Sequence, residues 1–249
     1  MQTPQVGRSV LVALLALSSA LHAQEAQNSE RHEFRIEAFV QDLGIPWGMA
    51  FLPDGRLLIS EREGRLRIAD ANGQLSAPLD NVPPVRAEGQ GGLLDVALHP
   101  QYADNGWIYI SYSQLRSDGD SFTAIARGQL EGNALTNVKL IYQGPSDDFS
   151  GHAHHYGSRI IFDADNYLFF SVGDRGQRPE AQLLTTANGK IHRLHDDGRI
   201  PEDNPFVGRD DALPTIWSYG HRNPQGLAIH PQTGEIWETE HGPRGGDEL

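Results

Sequence analysis

The sequence predicts an all-β protein built from repeated hairpins, arranged as the blades of a propeller. Three observations carry this. One pattern, a short apolar stretch, a Pro or Asp turn and then an apolar strand, occurs four times in the 249 residues. The repeats start about 45 to 70 residues apart, the interval of propeller blades that carry insertions. Long amphipathic helical periodicity is absent, and 27 glycines and 15 prolines suit short strands and turns. A β-sandwich also has short strands, but it does not call for one hairpin motif four times.

Residues 1–23 read as a secretory signal peptide: Arg8 gives a positive start, Val10 to Leu21 is apolar, and Leu21-His22-Ala23 precedes a cleavage point. The apolar run is too short to span a bilayer, and no other segment is long and apolar enough, so no membrane span is expected in the mature chain. Residues 24–31 read as a linker and 32–249 as the propeller domain. Arg35 to Val40 alternates as an edge-closing strand would. The first hairpin runs from Gly48 through the Asp54-Gly55 turn to Ser60. The second joins Leu93–Pro100 to Trp107–Tyr112 across Asp104-Asn105-Gly106. The third joins Ser158–Asp165 to Tyr167–Val172, and the fourth Gly226–Pro231 to Glu235–Thr239. Gly189–Leu194 reads as a further blade strand and Gly198–Phe206 as a connecting loop.

Composition narrows the chemistry. The formal net charge is −13, and loss of Arg8 with the leader leaves −14, which argues against nucleic acid as a partner. No cysteine is present, which removes disulfides, thiolate zinc sites and cysteine nucleophiles. A secreted or periplasmic location follows from the leader.

Four segments can carry a reaction. In Ser218-Tyr219-Gly220-His221-Arg222-Asn223-Pro224-Gln225-Gly226, the guanidinium of Arg222 suits a carboxylate or an oxyanion, and Pro224 restricts Asn223 to extended backbone. In Glu240-His241-Gly242-Pro243-Arg244-Gly245-Gly246-Asp247-Glu248, a Gly-Pro step can aim carbonyls at a hard cation, with two carboxylates close by; a surface turn with solvated carboxylates is the plainer reading. His152-Ala153-His154-His155-Tyr156-Gly157-Ser158-Arg159 offers a general base. Its histidines lack the spacing of common zinc sites, and in a strand His155 would face away from His152 and His154. Gly89-Gln90-Gly91-Gly92-Leu93-Leu94-Asp95 is not a dinucleotide-binding fingerprint, but its glycines would let backbone approach a planar ring. Asp174 reads as a turn residue.

These four segments, in this order, resemble the soluble pyrroloquinoline-quinone (PQQ) sugar dehydrogenases of the glucose/sorbosone type, closest to the aldose sugar dehydrogenase branch. The resemblance covers about residues 32 to 249 and implies a six-bladed β-propeller, of which this chain holds about four blades, with two more expected after Leu249. It implies PQQ and Ca2+ as cofactors, an aldose sugar as substrate and an external electron acceptor as partner. By the same resemblance His155 is the catalytic base and Arg222 stabilises developing charge. Gln90, Arg222 and Asn223 contact PQQ, and Gly242, Pro243 and Glu248 bind calcium. His154 departs from the family, since some members carry an aspartate there, which leaves open how His155 is oriented. Two other readings are a calcium-dependent propeller lactonase and a non-catalytic propeller that binds glycans or proteins. The lactonase needs converging side-chain ligands, and the binding module needs equivalent sites in every blade; neither is evident.

Overall fold

A computed structural model describes residues 27–249. The predicted leader, 1–23, lies outside the described residues. The chain divides into two compact units, Met1–Ala38 and Phe39–Leu249. In the first, strands β1 (Gln27–Asn28) and β2 (Glu33–Phe34) pair as a short hairpin, closed by Ser29 Oγ, which accepts the His32 N–H at 3.0 Å. Residues 35–40 form no strand, contrary to the sequence reading. Their alternation has no partner strand among the described residues, and a strand without a partner gains no ladder.

The second unit is a series of antiparallel sheets, each a meander in sequence order. The first holds β3 (Pro46–Phe51), β4 (Leu57–Glu61) and β5 (Arg65–Ala69). The second holds β6 (Leu93–Leu98), β7 (Trp107–Leu115), β8 (Ser121–Glu131) and β9 (Ala134–Gln143). The third holds β10 (Ile160–Phe162), β11 (Leu168–Val172), β12 (Lys190–Leu194) and β13 (Ile216–Tyr219). The fourth holds β14 (Pro224–Ile229) and β15 (Ile236–Glu240). All four predicted hairpins are present, each as the first two strands of a sheet, and β12 is the further strand expected at Gly189–Leu194.

The sheets pack face to face through apolar layers. Leu58 and Leu66 of the first meet Leu93, Val96 and Ile108 of the second. Tyr109, Phe122 and Ile125 meet Leu168, Phe170 and Val172 of the third. Phe169 and Ile191 then meet Leu227 of the fourth. Burial of such side chains contributes roughly 1.5–3 kcal/mol each before entropy is counted.

A polar relay repeats with the sheets. Gly48 N–H donates to Ser60 Oγ (2.9 Å), which donates to Leu94 O. Asp95 N–H donates to Ser111 Oγ (2.8 Å), which donates to Ser158 O (2.7 Å). Arg159 N–H donates to Ser171 Oγ (3.0 Å), which donates to Pro224 O (2.8 Å). Each serine is fully buried and links the first strand of its own sheet, or the residue just before it, to the start of the next sheet. The first strands β3, β6 and β14 also carry a register shift near their beginnings, which bends them.

Arg159 draws the four first strands together. Its Nη1 donates to Asp95 Oδ1 (2.8 Å), its Nε donates to Gln225 O (3.0 Å), and its guanidinium lies 4.7 Å from the centre of the Trp47 ring. The loops that enter β6, β10 and β14 therefore converge. Those loops carry Gln90, His155 and Arg222.

Candidate active site

The histidine segment is not a strand. His155 has left-handed backbone (φ 55°) between irregular neighbours, so alternation does not set its direction. Gln90 Oε1 accepts the His155 N–H at 2.8 Å, and Gln90 N–H donates to Ala153 O at 2.7 Å. On the other side Asn223 Oδ1 accepts the Gly157 N–H at 3.1 Å. Gly173 lies against the His155 carbonyl, where a Cβ would collide with it. Arg175, fully buried, sits 3.6 Å over the Tyr156 ring and donates to His154 O at 2.6 Å and to His152 O. Contacts from these four residues thus impose a backbone that histidine alone does not favour.

His155 Nδ1 lies 2.6 Å from Asp174 Oδ1. Burial alone would raise the Asp174 carboxyl, but the bonds from His155 and from Gly176 N–H, then the charges of His155 and Arg222, outweigh it and hold the carboxyl below its usual range. An ionised carboxylate only accepts, so Nδ1 carries the hydrogen, and in the neutral form of the ring Nε2 is the nitrogen with the lone pair. Asp174 is therefore more than a turn residue. It does close a turn, accepting Gly176 N–H at 2.7 Å, but it also orients the histidine. It fills the role that the departure at His154 left open. The neighbouring rings pack edge-on, His152 to His154 at 5.6 Å and His154 to His155 at 4.7 Å. Burial, then the charges of His155 and His152, lowers His154.

The network continues into the fourth sheet. Asp174 N–H donates to Arg222 O at 2.7 Å. Glu240 Oε2 accepts the N–H groups of both Arg222 and Asn223. Arg222 Nη1 donates to His241 O at 2.6 Å, and Arg222 Nε is sealed from water with no hydrogen-bond partner among the described residues. In the following loop Gly242 N–H donates to Asp247 Oδ1 (3.0 Å), and Gly246 N–H donates to Pro243 O (3.2 Å). A cavity of about 210 Å³ is lined by Asp174, Arg178, Arg222, Glu240, Gly242, Pro243 and Glu248, among others.

The structure thus brings Arg222, Gly242, Pro243 and Glu248 to one cavity, beside the His155–Asp174 pair. Gln90 and Asn223 lie off that cavity, and their side chains hold the His155 loop. The glycine-rich loop also differs from expectation: Gly89 and Gly92 make room for the carbonyls of Ala153 and Arg62, so protein backbone already occupies the close approach there. Sequence reading missed Asp174 as a partner, and it missed Arg175 and Glu240. In the cavity wall, burial pushes His221 down to about 4, and next to it burial with the Glu240 and Glu248 charges pushes Glu238 up to about 7.

Meander sheets joined through converging first strands, with a histidine–carboxylate pair and an arginine where the entering loops meet, define a propeller with one asymmetric central site. The chain belongs to the glucose/sorbosone dehydrogenase family, whose family model matches residues 43–249. It is 45% identical over 242 residues to the aldose sugar dehydrogenase YliI of Escherichia coli, covering 96% of this chain and 63% of the relative's length. The apo-form structure of the soluble aldose sugar dehydrogenase from Escherichia coli superimposes with a TM-score of 0.81 at 45% identity, over 85% of this chain and 61% of that one. The PQQ-bound aldose sugar dehydrogenase of Streptomyces coelicolor superimposes at 0.71 and 31% identity, over 84% and 60%.

Proposed function

We propose that this chain carries the base and part of the cofactor pocket of a PQQ- and calcium-dependent aldose dehydrogenase that oxidises sugars at C1 to lactones. The observation that carries the reading is the 2.6 Å contact of His155 Nδ1 with a buried carboxylate, on a loop tied through Asp174 to Arg222. The residues present fit the two cofactors. The orphaned Arg222 Nε and its guanidinium suit a polycarboxylate, while carbonyls of Gly242 and Pro243 and the Glu248 carboxylate supply hard oxygens. When bound, PQQ supplies a quinone that takes the C1 hydrogen with its two electrons, and calcium supplies Lewis acidity.

The chain's own residues do the rest. His155 Nε2 takes the proton from the anomeric hydroxyl. Asp174 holds the imidazole in the tautomer that can do so, and its charge stabilises the imidazolium that forms. Arg222 offers positive charge where negative charge develops. Gln90 and Asn223 keep the histidine loop in place; their contact with PQQ is part of the same proposal. Export to the periplasm or the medium, and reoxidation by an external electron acceptor, complete the reading. The test is dye reduction by the protein with added PQQ, CaCl2 and an aldose. Turnover that requires all three is expected; sugar-independent turnover, or hydrolysis of a lactone instead, would overturn the proposal.

A further inference from the structure

Next to Arg222, with His221 and Glu240 in the wall of the same cavity, three side chains meet that the proposed reaction does not use as ligands. An imidazole nitrogen of His221 and carboxylate oxygens of Glu238 and Glu240 all lie within 4.8 Å of one another. Among the described residues this is the one group of three that could enclose a cation. Its members come from two elements. His221 precedes β14, while Glu238 and Glu240 are two apart in β15 and so share a face of that strand.

The hydrogen bonding of the group is incomplete. His221 Nε2 is engaged by Ser218 Oγ at 2.9 Å. His221 Nδ1 faces Glu238 Oε2 at 3.9 Å, beyond hydrogen-bond reach. Glu238 Oε1 is sealed from solvent and has no hydrogen-bond partner among the described residues. A sealed carboxylate oxygen without a donor costs free energy. Here it stands beside an unengaged imidazole nitrogen and a second carboxylate, and one bound cation would satisfy all three. Ser218 already plays the part of an outer partner, fixing the ring through its other nitrogen.

The donor set indicates which cation. Calcium takes six to eight oxygens, whereas one imidazole with two carboxylates suits a borderline divalent ion. We propose that His221, Glu238 and Glu240 form a binding site for a divalent cation of the zinc class, distinct in chemistry from the Gly242–Pro243 loop. Glu240 Oε2 already accepts from the backbone of Arg222 and Asn223. An ion here therefore ties β15 to the arm that lines the cavity.

The test is a calorimetric titration of the full, chelator-stripped chain with ZnCl2 in the presence of excess CaCl2. Saturable zinc binding is expected, weakened at least about tenfold by Glu238→Gln and by His221→Ala. The glutamine variant keeps size and shape, so it decides the matter if the alanine variant fails to fold. Zinc binding that is absent, that calcium competes away, or that Glu238→Gln leaves intact would overturn the proposal.

Discussion

Replacing Asp174 by asparagine tests the proposed pairing of His155, as a base, with a buried carboxylate. The substitution keeps the volume of a buried side chain and removes its charge. Two bonds meet at Oδ1, His155 Nδ1 at 2.6 Å and Gly176 N–H at 2.7 Å. The amide oxygen can keep both, so the Gly176 bond opposes a flip that would present the NH2 to the ring. What is lost is the charge that, in the proposed reaction, favours the imidazolium formed as His155 takes the proton. A hydrogen bond to a charged group is worth roughly 1.5–3 kcal/mol, which corresponds to a loss of about 10- to 150-fold in kcat. Were the amide to flip, the wrong tautomer would be held and the loss would approach about 10⁴-fold. The assay is sugar-dependent dye reduction with saturating PQQ and CaCl2, with a thermal melt to confirm folding. A folded Asp174→Asn variant whose kcat stays within about threefold of the unmodified protein would refute the orienting role.

Three further outcomes are expected. Gly173→Ala would push a methyl group into the His155 carbonyl; it should destabilise by about 1–3 kcal/mol and displace the base, so unchanged melting and activity would contradict the packing described. Ser111→Ala would strand the buried Asp95 N–H and Ser158 carbonyl; urea unfolding should show a loss of about 1–3 kcal/mol, and a change under about 0.5 would disprove the relay's contribution. Burial pushes Asp148 from 3.8 up to about 6. Its acid form is favoured in the folded state, so its stabilising effect is complete below the unfolded value and is lost as pH rises through about 6. Asp148→Asn cannot titrate, so the stability of that variant relative to the unmodified chain should grow by up to about 3 kcal/mol between about pH 4 and 7, and a flat difference would be inconsistent with the shift.

The hairpins were legible because each rests on local signals, such as Asp54-Gly55 between apolar runs. The serine relay was in plain view, with Ser60, Ser111 and Ser171 at matching places in their strands. Its meaning depends on carbonyls 34 to 53 residues away, which no local pattern encodes. Asp174 reads only as a turn residue for a similar reason. Its turn with Gly176 is local and visible, whereas its bond to His155 spans 19 residues and depends on a left-handed backbone at the histidine. Alternation failed at His152–His155 because that segment is held by Gln90 and Arg175 rather than by a ladder. The glycines at 89 and 92 read as sites of close approach, but the approaching group is this chain's own backbone.

In the proposed reaction His155, oriented by Asp174, is the base for sugar oxidation. Stopped-flow reduction of PQQ by an aldose in a single turnover measures that step apart from reoxidation. With the unmodified protein and His155→Ala loaded to equal PQQ occupancy in CaCl2, equal cofactor retention and a reduction rate lower by about 10²- to 10⁴-fold in the variant are expected. Equal reduction rates at equal occupancy would contradict it.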